Sequence, residues 1–261
     1  MMANTWALIT GATSGIGLEL AHCHAQTKGN LILVARRGDV LDTLKQSIVS
    51  QYGVEVYTIV QDLSEADAAE QIWNKTTSMG LHVDLLINNA GFGDFGLFHS
   101  MPADRLQQMI QLNIVALTQL CRLYLPKMIE KGAGGILNVA STAAFQPGPG
   151  MTVYFATKAY VLSFSEGLYE EVKKHGIKVS ALCPGPTSTA FFSSANMDGS
   201  RLTTLMPMPS AKEVAQYGYR SLTNNKAVAI YGVMNRIMTF SLRFVPRSWA
   251  RQLTGKLIDA N

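Results

Sequence analysis

Residues 6–17 read WALITGATSGIG, a short apolar run followed at once by a glycine-rich turn. The apolar run predicts a buried strand, and residues 18–25 predict a helix that begins at the turn. Glycines let a backbone turn tightly and approach an anion, whose charge the helix N-terminus stabilises. Such a turn alone is mostly just a turn, but strand, turn and helix in this order are typical of a dinucleotide site. The candidate phosphate-binding residues are Gly11, Thr13, Ser14, Gly15, Ile16 and Gly17.

Similar short apolar runs recur along the chain and alternate with segments long enough for helices. The runs are continuous rather than alternating, as expected of strands buried on both faces of a parallel sheet. This order predicts a single domain over residues 1–261 with a doubly wound α/β Rossmann fold and a mostly parallel, roughly seven-stranded sheet. Ligands of such folds bind outside the carboxyl ends of the strands. The predicted strands are Trp6 to Thr10, Leu31 to Ala35, Val54 to Ile59, Leu85 to Asn88, Gly135 to Ala140, Val179 to Cys183 and Val228 to Tyr231.

Composition excludes several classes of protein. The chain has 261 residues, of which 48% are hydrophobic and 15% charged, so it is neither disordered nor a small disulfide-stapled protein. The net charge of +4 is too mild to predict a nucleic-acid partner. Three cysteines without CxxC spacing predict neither disulfides nor a metal site, and they indicate a reducing compartment. Without an evident export signal or a membrane-spanning run, we expect a cytoplasmic protein.

The end of the second predicted strand indicates which dinucleotide binds. NAD sites carry an acidic residue there for the ribose hydroxyls, but this strand is followed by Arg36 and Arg37. Guanidinium groups bind phosphate through paired, charge-assisted hydrogen bonds, so the pattern favours NADP(H), with its 2′-phosphate, over NAD(H). The alternative is that both arginines merely solvate the strand end.

The chain resembles the short-chain dehydrogenase/reductase family from Thr10 through Thr189. The family's TGxxxGxG turn matches residues 10–17, and its NNAG motif matches residues 88–91. The resemblance implies an NADP(H)-dependent oxidoreductase that transfers a hydride between the nicotinamide and a carbonyl or alcohol, similar to bacterial carbonyl, 3-ketoacyl and hydroxysteroid reductases. The implied catalytic residues are Asn113, Ser141, Tyr154 and Lys158. The implied cofactor contacts outside the turn are Asp62 at the adenine, Asn89, Ala90, Gly91, Tyr154, Lys158, and Pro184, Gly185 and Thr189 at the carboxamide.

The spacing of the Tyr154 and Lys158 pair supports proton transfer. Residues four apart share a helix face, so the lysine cation is predicted to lower the pKa of Tyr154 from about 10 toward neutrality. Tyr154 then serves as general acid or base, and Ser141 hydrogen-bonds the same substrate oxygen. Tyr169 and Lys173 have the same spacing. They lie far along the same predicted helix from the strand ends, so we predict that they form a solvated face.

Asn113 falls within a helix predicted from Asp104 to Leu125. The resemblance implies that it holds a water linking Lys158 to solvent, while the alternative is a polar residue at a packing seam. His22 and His24 flank Cys23, but positions two apart do not share a helix face, so no metal site is predicted.

Aromatic residues near the predicted strand ends suggest an apolar substrate pocket: Phe92, Phe95, Phe145, Phe191 and Phe192. Each alone is more often a core residue. Residues 190–210 are interpreted as a substrate lid that ends at a capping box formed by Ser210 and Glu213.

The C-terminal region is basic, because no acidic residue occurs between Glu213 and Asp259. Residues 233–261 predict two basic helices separated by Pro246, with Ile237, Phe240 and Phe244 at helical spacing. A surface helix for an anionic membrane or an acyl-carrier partner is one interpretation, but a segment that covers the core or closes an oligomer is favoured. The resemblance implies a homodimer or homotetramer.

The alternative function is an NADP-binding sensor without turnover, which would have no need of a proton donor beside the nicotinamide.

Overall fold

The computed structural model describes residues 4–189, 191, 195 and 208–258. Within these residues seven parallel strands form one sheet in the order β3-β2-β1-β4-β5-β6-β7, which confirms the predicted doubly wound α/β fold. The strands are β1 (Trp6–Thr10), β2 (Asn30–Ala35), β3 (Val56–Val60), β4 (Val83–Asn88), β5 (Gly134–Val139), β6 (Ile177–Cys183) and β7 (Val228–Ile230).

Helices connect the strands and cover both faces of the sheet. They are α1 (Gly15–Gln26), α2 (Gly38–Tyr52), α3 (Ala68–Ser78), α4 (Ala103–Ile110), α5 (Leu117–Lys131), α6 (Thr152–Val172), α7 (Ala211–Thr223), α8 (Val233–Ser241) and α9 (Arg247–Ile258). A π-helical turn, Gln111–Ala116, joins α4 to α5, and a 3₁₀ turn, Thr142–Phe145, precedes α6. The predicted capping box is present at the start of α7, where Ser210 and Glu213 bond each other's backbone N–H groups.

Alternate residues of the central strands pack into two separate cores. On β1, Leu8 belongs to the core formed with α3, α5 and α6, while Ala7 and Ile9 belong to the core formed with α1, α2 and α7. All three side chains are fully buried. Burial on both faces explains why the strands read as continuous apolar runs.

The strand order places the functional loops together. The chain proceeds outward from β1 to β3 and then returns to β4 on the other side of β1, which leaves a crevice beyond the carboxyl ends of β1 and β4. The glycine-rich turn follows β1, residues 89–91 follow β4, Ser141 follows β5, and residues 184–189 follow β6.

Two further predictions concern membranes and metals. In the described part of the chain, no helix is long and apolar enough to cross a membrane. His24 is buried in α1, where its ring nitrogens lie 2.8 Å from the Tyr219 hydroxyl and 3.0 Å from the Thr5 carbonyl oxygen. Burial lowers the pKa of His24, so this side chain serves as a neutral hydrogen-bonding group of the core.

Candidate active site

The loop after β4 holds the glycine-rich turn in place. The Thr10 hydroxyl accepts hydrogen bonds from the backbone N–H groups of Asn89 and Ala90, each at 3.0 Å. In return, the Asn89 amide donates to the carbonyl oxygens of Thr10 at 3.0 Å and Gly11 at 3.1 Å. These four bonds fix the turn against the second half of the sheet.

The turn requires glycine at specific positions. Gly11 has a φ of +64°, in the left-handed region that favours glycine. A Cβ atom at Gly17 would lie 2.3 Å from the Asn89 amide nitrogen and 2.4 Å from the Gly11 carbonyl oxygen, so no side chain fits. Ser14 is the N-cap of α1 and makes no side-chain cap hydrogen bond, so among the described residues the cap itself does not occupy the N–H groups of the first turn. This arrangement fits a dinucleotide pyrophosphate.

Arg36 and Arg37 stand at the end of β2, beside the turn. The guanidinium of Arg37 donates to the Thr13 hydroxyl at 3.4 Å, and that of Arg36 lies 3.7 Å from the Asp62 carboxylate. Partial burial of Asp62 opposes ionisation, but hydrogen bonds from Ser64 and the charge of Arg36 outweigh it and lower the pKa of Asp62. The site therefore presents two cations and one ionised carboxylate to a ligand.

One cavity of about 630 Å³ runs from these arginines to the start of α6. Every predicted site residue lines it except Gly17 and Asn113, which lie behind its wall. The predicted residues that line it are Gly11, Thr13, Ser14, Gly15, Ile16, Arg36, Arg37, Asp62, Asn89, Ala90, Gly91, Ser141, Tyr154, Lys158, Pro184, Gly185 and Thr189.

Tyr154 lies in the first turn of α6 and is 8% exposed. Burial raises its pKa to about 12, and a hydrogen bond with Ser141 opposes the rise without reversing it. Ser141 is held by its own contacts, since its hydroxyl accepts from the Ala143 N–H at 3.1 Å. At neutral pH Tyr154 thus carries its proton, next to a fixed hydroxyl at the cavity wall.

Lys158 lies one turn further along α6 and is 6% exposed. Its ammonium group donates to the Val139 carbonyl oxygen at 2.8 Å and lies 5.8 Å from the centre of the Tyr154 ring. Burial lowers the pKa of Lys158 to about 8. The prediction that Lys158 lowers the pKa of Tyr154 is therefore wrong. Burial disfavours the charged form of both side chains, and this effect sets the direction of both pKa shifts.

Asn113 lies in the π-helical turn and is 1% exposed. Its amide donates to the Phe92 carbonyl oxygen at 2.9 Å and to the Thr157 hydroxyl at 3.0 Å, and it accepts from the Phe92 N–H at 3.1 Å. A Cβ at Gly91 would lie 3.0 Å from the Asn113 amide oxygen and 3.4 Å from the Lys158 nitrogen. A side chain at residue 91 would therefore crowd both polar groups.

Replacing Asn113 by Ala is expected to destabilise the fold, because both Phe92 backbone groups would lose their partners. We expect the free energy of unfolding to fall by roughly 2–4 kcal/mol in urea titrations. The matched control is Gln111→Ala in the same turn, whose amide makes only a 3.5 Å contact with the Glu65 carbonyl oxygen. The control should change stability by no more than about 0.5 kcal/mol. An equal fall in the free energy of unfolding of both variants would contradict a specific role for the Asn113 hydrogen bonds.

The second tyrosine–lysine pair lies away from the cavity, as predicted, but Tyr169 is half-buried against the core rather than on a solvated face. Tyr169 contacts the Asn225 carbonyl oxygen at 3.5 Å, and Lys173 pairs with Glu170 beyond the end of α6. Neither residue lines the cavity.

The aromatic residues predicted for the pocket divide into groups. Phe92 and Phe191 line the cavity, and the Phe191 ring centre lies 5.3 Å from that of Tyr154. Phe145 lines a smaller neighbouring pocket, and Phe95 packs in the cluster around Tyr154. Phe192 and most of the proposed lid at 190–210 lie outside the described residues.

Sequence reasoning missed several wall residues. Arg105 stacks 4.1 Å over the Phe92 ring and bonds Asp94 at 2.8 Å, and α8 and α9 contribute further residues. Helical spacing of Asn235, Thr239 and Leu242 was the available signal for α8. The additional wall residues of α4, α6, α8 with its C-cap, and α9 are Arg105, Gln108, Phe155, Asn235, Met238, Thr239, Leu242, Thr254 and Ile258.

Comparison with known proteins agrees with this geometry. The family model for short chain dehydrogenases matches residues 5–199. The very-long-chain 3-oxoacyl-CoA reductase of Rattus norvegicus is 32% identical over 247 residues, which cover 92% of this chain and 76% of that protein. The hydroxysteroid dehydrogenase-like protein 1 of Gallus gallus is 33% identical, with 94% and 73% covered. A short-chain dehydrogenase from Sphingobium yanoikuyae in complex with NADPH superposes with a TM-score of 0.83 at 32% identity, with 91% of this chain and 92% of that chain covered.

The chain belongs to the short-chain dehydrogenase family. It is an NADP(H)-dependent oxidoreductase that transfers a hydride between the nicotinamide and its substrate.

Proposed function

We propose that the protein reduces an apolar ketone with NADPH, with Tyr154 as the general acid. The observation that carries this proposal is the position of Tyr154, bonded to Ser141 on the wall of a cavity that also contains Arg36 and Arg37. A proton donor next to a fixed hydroxyl suits a carbonyl oxygen, and the two guanidiniums suit a phosphate at the other end.

In this proposal Tyr154 donates its proton to the carbonyl oxygen as negative charge develops there, and Ser141 stabilises that charge by a second hydrogen bond. When bound, the cofactor supplies the hydride. Lys158 orients the site through its bond to β5 and, close to its pKa of about 8, takes up and releases protons near neutral pH. Asn113 positions the loop at Phe92 and Gly91; a water that it would hold for Lys158 stays a prediction.

The cofactor contacts are assigned by the same reasoning. The turn at residues 11–17 holds the pyrophosphate, with Asn89 and Ala90 bracing it. Arg36 and Arg37 bind the 2′-phosphate, and Asp62 contacts the adenine. Pro184, Gly185 and Thr189 contact the carboxamide. Thr189 packs against the glycine-rich turn, since a Cβ at Gly15 would lie 3.1 Å from its methyl carbon.

Replacing Arg37 by Ala is expected to raise the KM for NADPH by roughly 10- to 100-fold, because a charge-assisted bond to the phosphate contributes about 1.5–3 kcal/mol. The KM for NADH should stay within about twofold, since NADH has no 2′-phosphate. Initial rates with each cofactor give both values. Arg122→Ala on the exposed side of α5 is the matched control and should alter neither. A parallel loss for NADPH and NADH would remove the assignment of Arg37 to the phosphate.

The cavity walls support an apolar substrate. Phe92, Met151, Phe155, Phe191 and Ile258 surround the position of Tyr154. The name of the rat relative, a 3-oxoacyl-CoA reductase, supports a 3-keto group on an acyl chain.

The proposed function is tested by NADPH oxidation with a panel of ketones, aldehydes and 3-ketoacyl thioesters. We expect turnover that increases with the apolar length of the ketone. Tight NADPH binding with no turnover across the panel would contradict the proposal and favour an NADP-binding sensor.

Three wider proposals accompany this function. We propose a single domain over residues 1–261, a homodimer or homotetramer, and a cytoplasmic location. The three cysteines support the last of these, because all are buried free thiols, as suits a reducing compartment.

A further inference from the structure

Helix α8 exposes its apolar residues to solvent, whereas an ordinary surface helix buries them. Its buried residue is Thr239, whose hydroxyl is bonded within the helix to the carbonyl oxygens of Asn235 and Arg236. Ile237 is 57% exposed and Phe240 58%, and Phe244, just beyond the helix, is 75% exposed. The segment is predicted to cover the core or to close an oligomer; these three residues do not cover the core, and closing an oligomer stays a prediction. Ile237 and Phe240 border a small surface pocket beside Phe145 and Ile230.

Exposed apolar residues are present on α9 as well. Trp249 is 68% exposed and Leu253, one turn further on, is 60% exposed. We call the exposed apolar residues of the α8 segment and α9 together the outer apolar face. It consists of Val233, Ile237, Phe240, Phe244, Trp249 and Leu253. An exposed patch of this kind on a folded protein marks an interaction site.

The charge around this face identifies what it contacts. The sequence has no Asp or Glu between Glu213 and Asp259. Four exposed cations lie among the apolar residues: Arg243, Arg247, Arg251 and Lys256. A second copy packed symmetrically on this face would bring like charges together with no carboxylate from these helices between them. Large apolar side chains mixed with cations instead match an anionic lipid surface.

The inner side of the same helices lines the cavity. Asn235, Thr239 and Leu242 of the α8 segment and Thr254 of α9 contribute to its wall. Met238 both lines the cavity and is 41% exposed, so it connects the interior with the outer apolar face. A lipid surface bound to this face would lie at one rim of the cavity.

We propose that the outer apolar face docks the protein onto anionic lipid membranes, with the rim at Met238 turned toward the lipid. The docking itself does not depend on the proposed substrate. That an apolar ketone enters from the membrane at this rim rests on the proposed function.

The test is co-sedimentation of the full chain with vesicles of phosphatidylcholine alone and of phosphatidylcholine mixed with phosphatidylglycerol. Binding to the mixed vesicles is expected, with weaker binding as salt increases, because exposed charges are screened. The assay measures binding without turnover, so its result is readable even if no carbonyl substrate is found.

Two double variants test the two components of the face. Phe240→Asp with Phe244→Asp should abolish sedimentation with the mixed vesicles. Arg247→Glu with Arg251→Glu should weaken it by about tenfold or more, since each basic residue near an anionic surface contributes about 1 kcal/mol. All four positions are exposed, so the variants should fold, which circular dichroism checks.

The matched controls lie elsewhere on the molecule. Val49→Asp changes an exposed apolar residue on α2, which packs against β3 at the opposite edge of the sheet from β7. Lys127→Glu with Lys174→Glu changes the net charge as much as the arginine pair does, at exposed positions outside α8 and α9. Both controls should sediment like the wild type.

Failure of the wild type to bind anionic vesicles would overturn the proposal. So would a dimer in sedimentation velocity that the Phe240→Asp, Phe244→Asp variant dissociates, because a second copy would then cover the face. Equal loss of binding in the control variants would also overturn it.

Discussion

Replacing Tyr154 by Phe is expected to lower the rate of ketone reduction by roughly 10²- to 10⁴-fold, the usual contribution of a positioned general acid. The change removes only the hydroxyl, which bonds Ser141. The ring that packs 5.3 Å from that of Phe191 stays in place. Binding of NADPH, measured by fluorescence titration, should change by less than about threefold, because the turn and the two arginines are untouched.

The control for this prediction is built into the same helix. Tyr169→Phe makes the identical chemical change at the other tyrosine that precedes a lysine by four positions, where the hydroxyl makes only a 3.5 Å contact. Its turnover should equal that of the wild type. If Tyr154→Phe kept full activity, another group would have to supply the proton, and the assignment of Tyr154 would be lost.

Sequence reasoning predicted the central strands well because burial on both faces gives an unambiguous pattern. β1 has the predicted bounds, Trp6–Thr10. The ends of the other strands differ from the predicted ones by one or two residues, and in two of these strands a polar residue near the start explains the difference. β4 begins at Val83 rather than Leu85, because Asp84 interrupts the apolar run while its carboxylate accepts a hydrogen bond from the Trp6 N–H at 2.9 Å. β6 begins at Ile177 rather than Val179, because Lys178 interrupts the run and reaches the Thr223 carbonyl oxygen at 2.6 Å.

The sequence predicted which residues form the site, but it did not predict how deeply they are buried or what surrounds them. Motif spacing located Ser141, Tyr154 and Lys158 on one cavity wall, because local helix geometry and the strand order fix where such residues lie. The π-helical turn at Asn113 interrupts a helix predicted to be regular from Asp104 to Leu125. The turn depends on a contact with a distant part of the chain, because the Asn113 amide is bonded to Phe92. Such π-helical turns commonly occur at functional sites.

Burial and polarity depend on distant parts of the chain, so they were harder to predict. Tyr154 and Lys158 are four apart, which correctly indicates proximity, but desolvation by the surrounding walls sets the pKa of each. Likewise, the spacing of Ile237, Phe240 and Phe244 indicates a shared helix face without indicating which side faces solvent.

Replacing Lys158 by Met is expected to abolish most of the activity and to stabilise the fold at neutral pH. The pKa of Lys158 falls from its ordinary value near 10.5 to about 8 because burial disfavours the ammonium. Holding that charge in the folded state therefore costs roughly 3 kcal/mol below pH 8. Met fills similar space without a charge, and the lost bond to the Val139 carbonyl oxygen costs about 1 kcal/mol. The variant should be about 2 kcal/mol more stable at pH 7.

The pH dependence of this difference has a definite sign. Between the folded pKa and the unfolded pKa the unfolded state binds more protons at Lys158, so the wild type gains stability relative to the variant as pH rises. The buried thiols of Cys121 and Cys183, whose pKa values burial raises to about 12, destabilise both proteins above about pH 9. That loss is common to both proteins except for the coupling of Cys183 to Lys158, whose charge lowers the Cys183 pKa, so the difference reports Lys158 together with this coupling.

The measurement is urea unfolding of both proteins between about pH 7 and about pH 9.5, where the difference should narrow by about 1–2 kcal/mol. Lys174→Met, at an exposed position, is the control and should show no such narrowing. A variant that lost both activity and stability at pH 7 would mean that the bond to Val139 outweighs desolvation, and Lys158 would then be a structural anchor. A variant that is more stable but inactive would show that the fold maintains a costly buried cation beside Tyr154, and the role of that cation would then lie in the reaction.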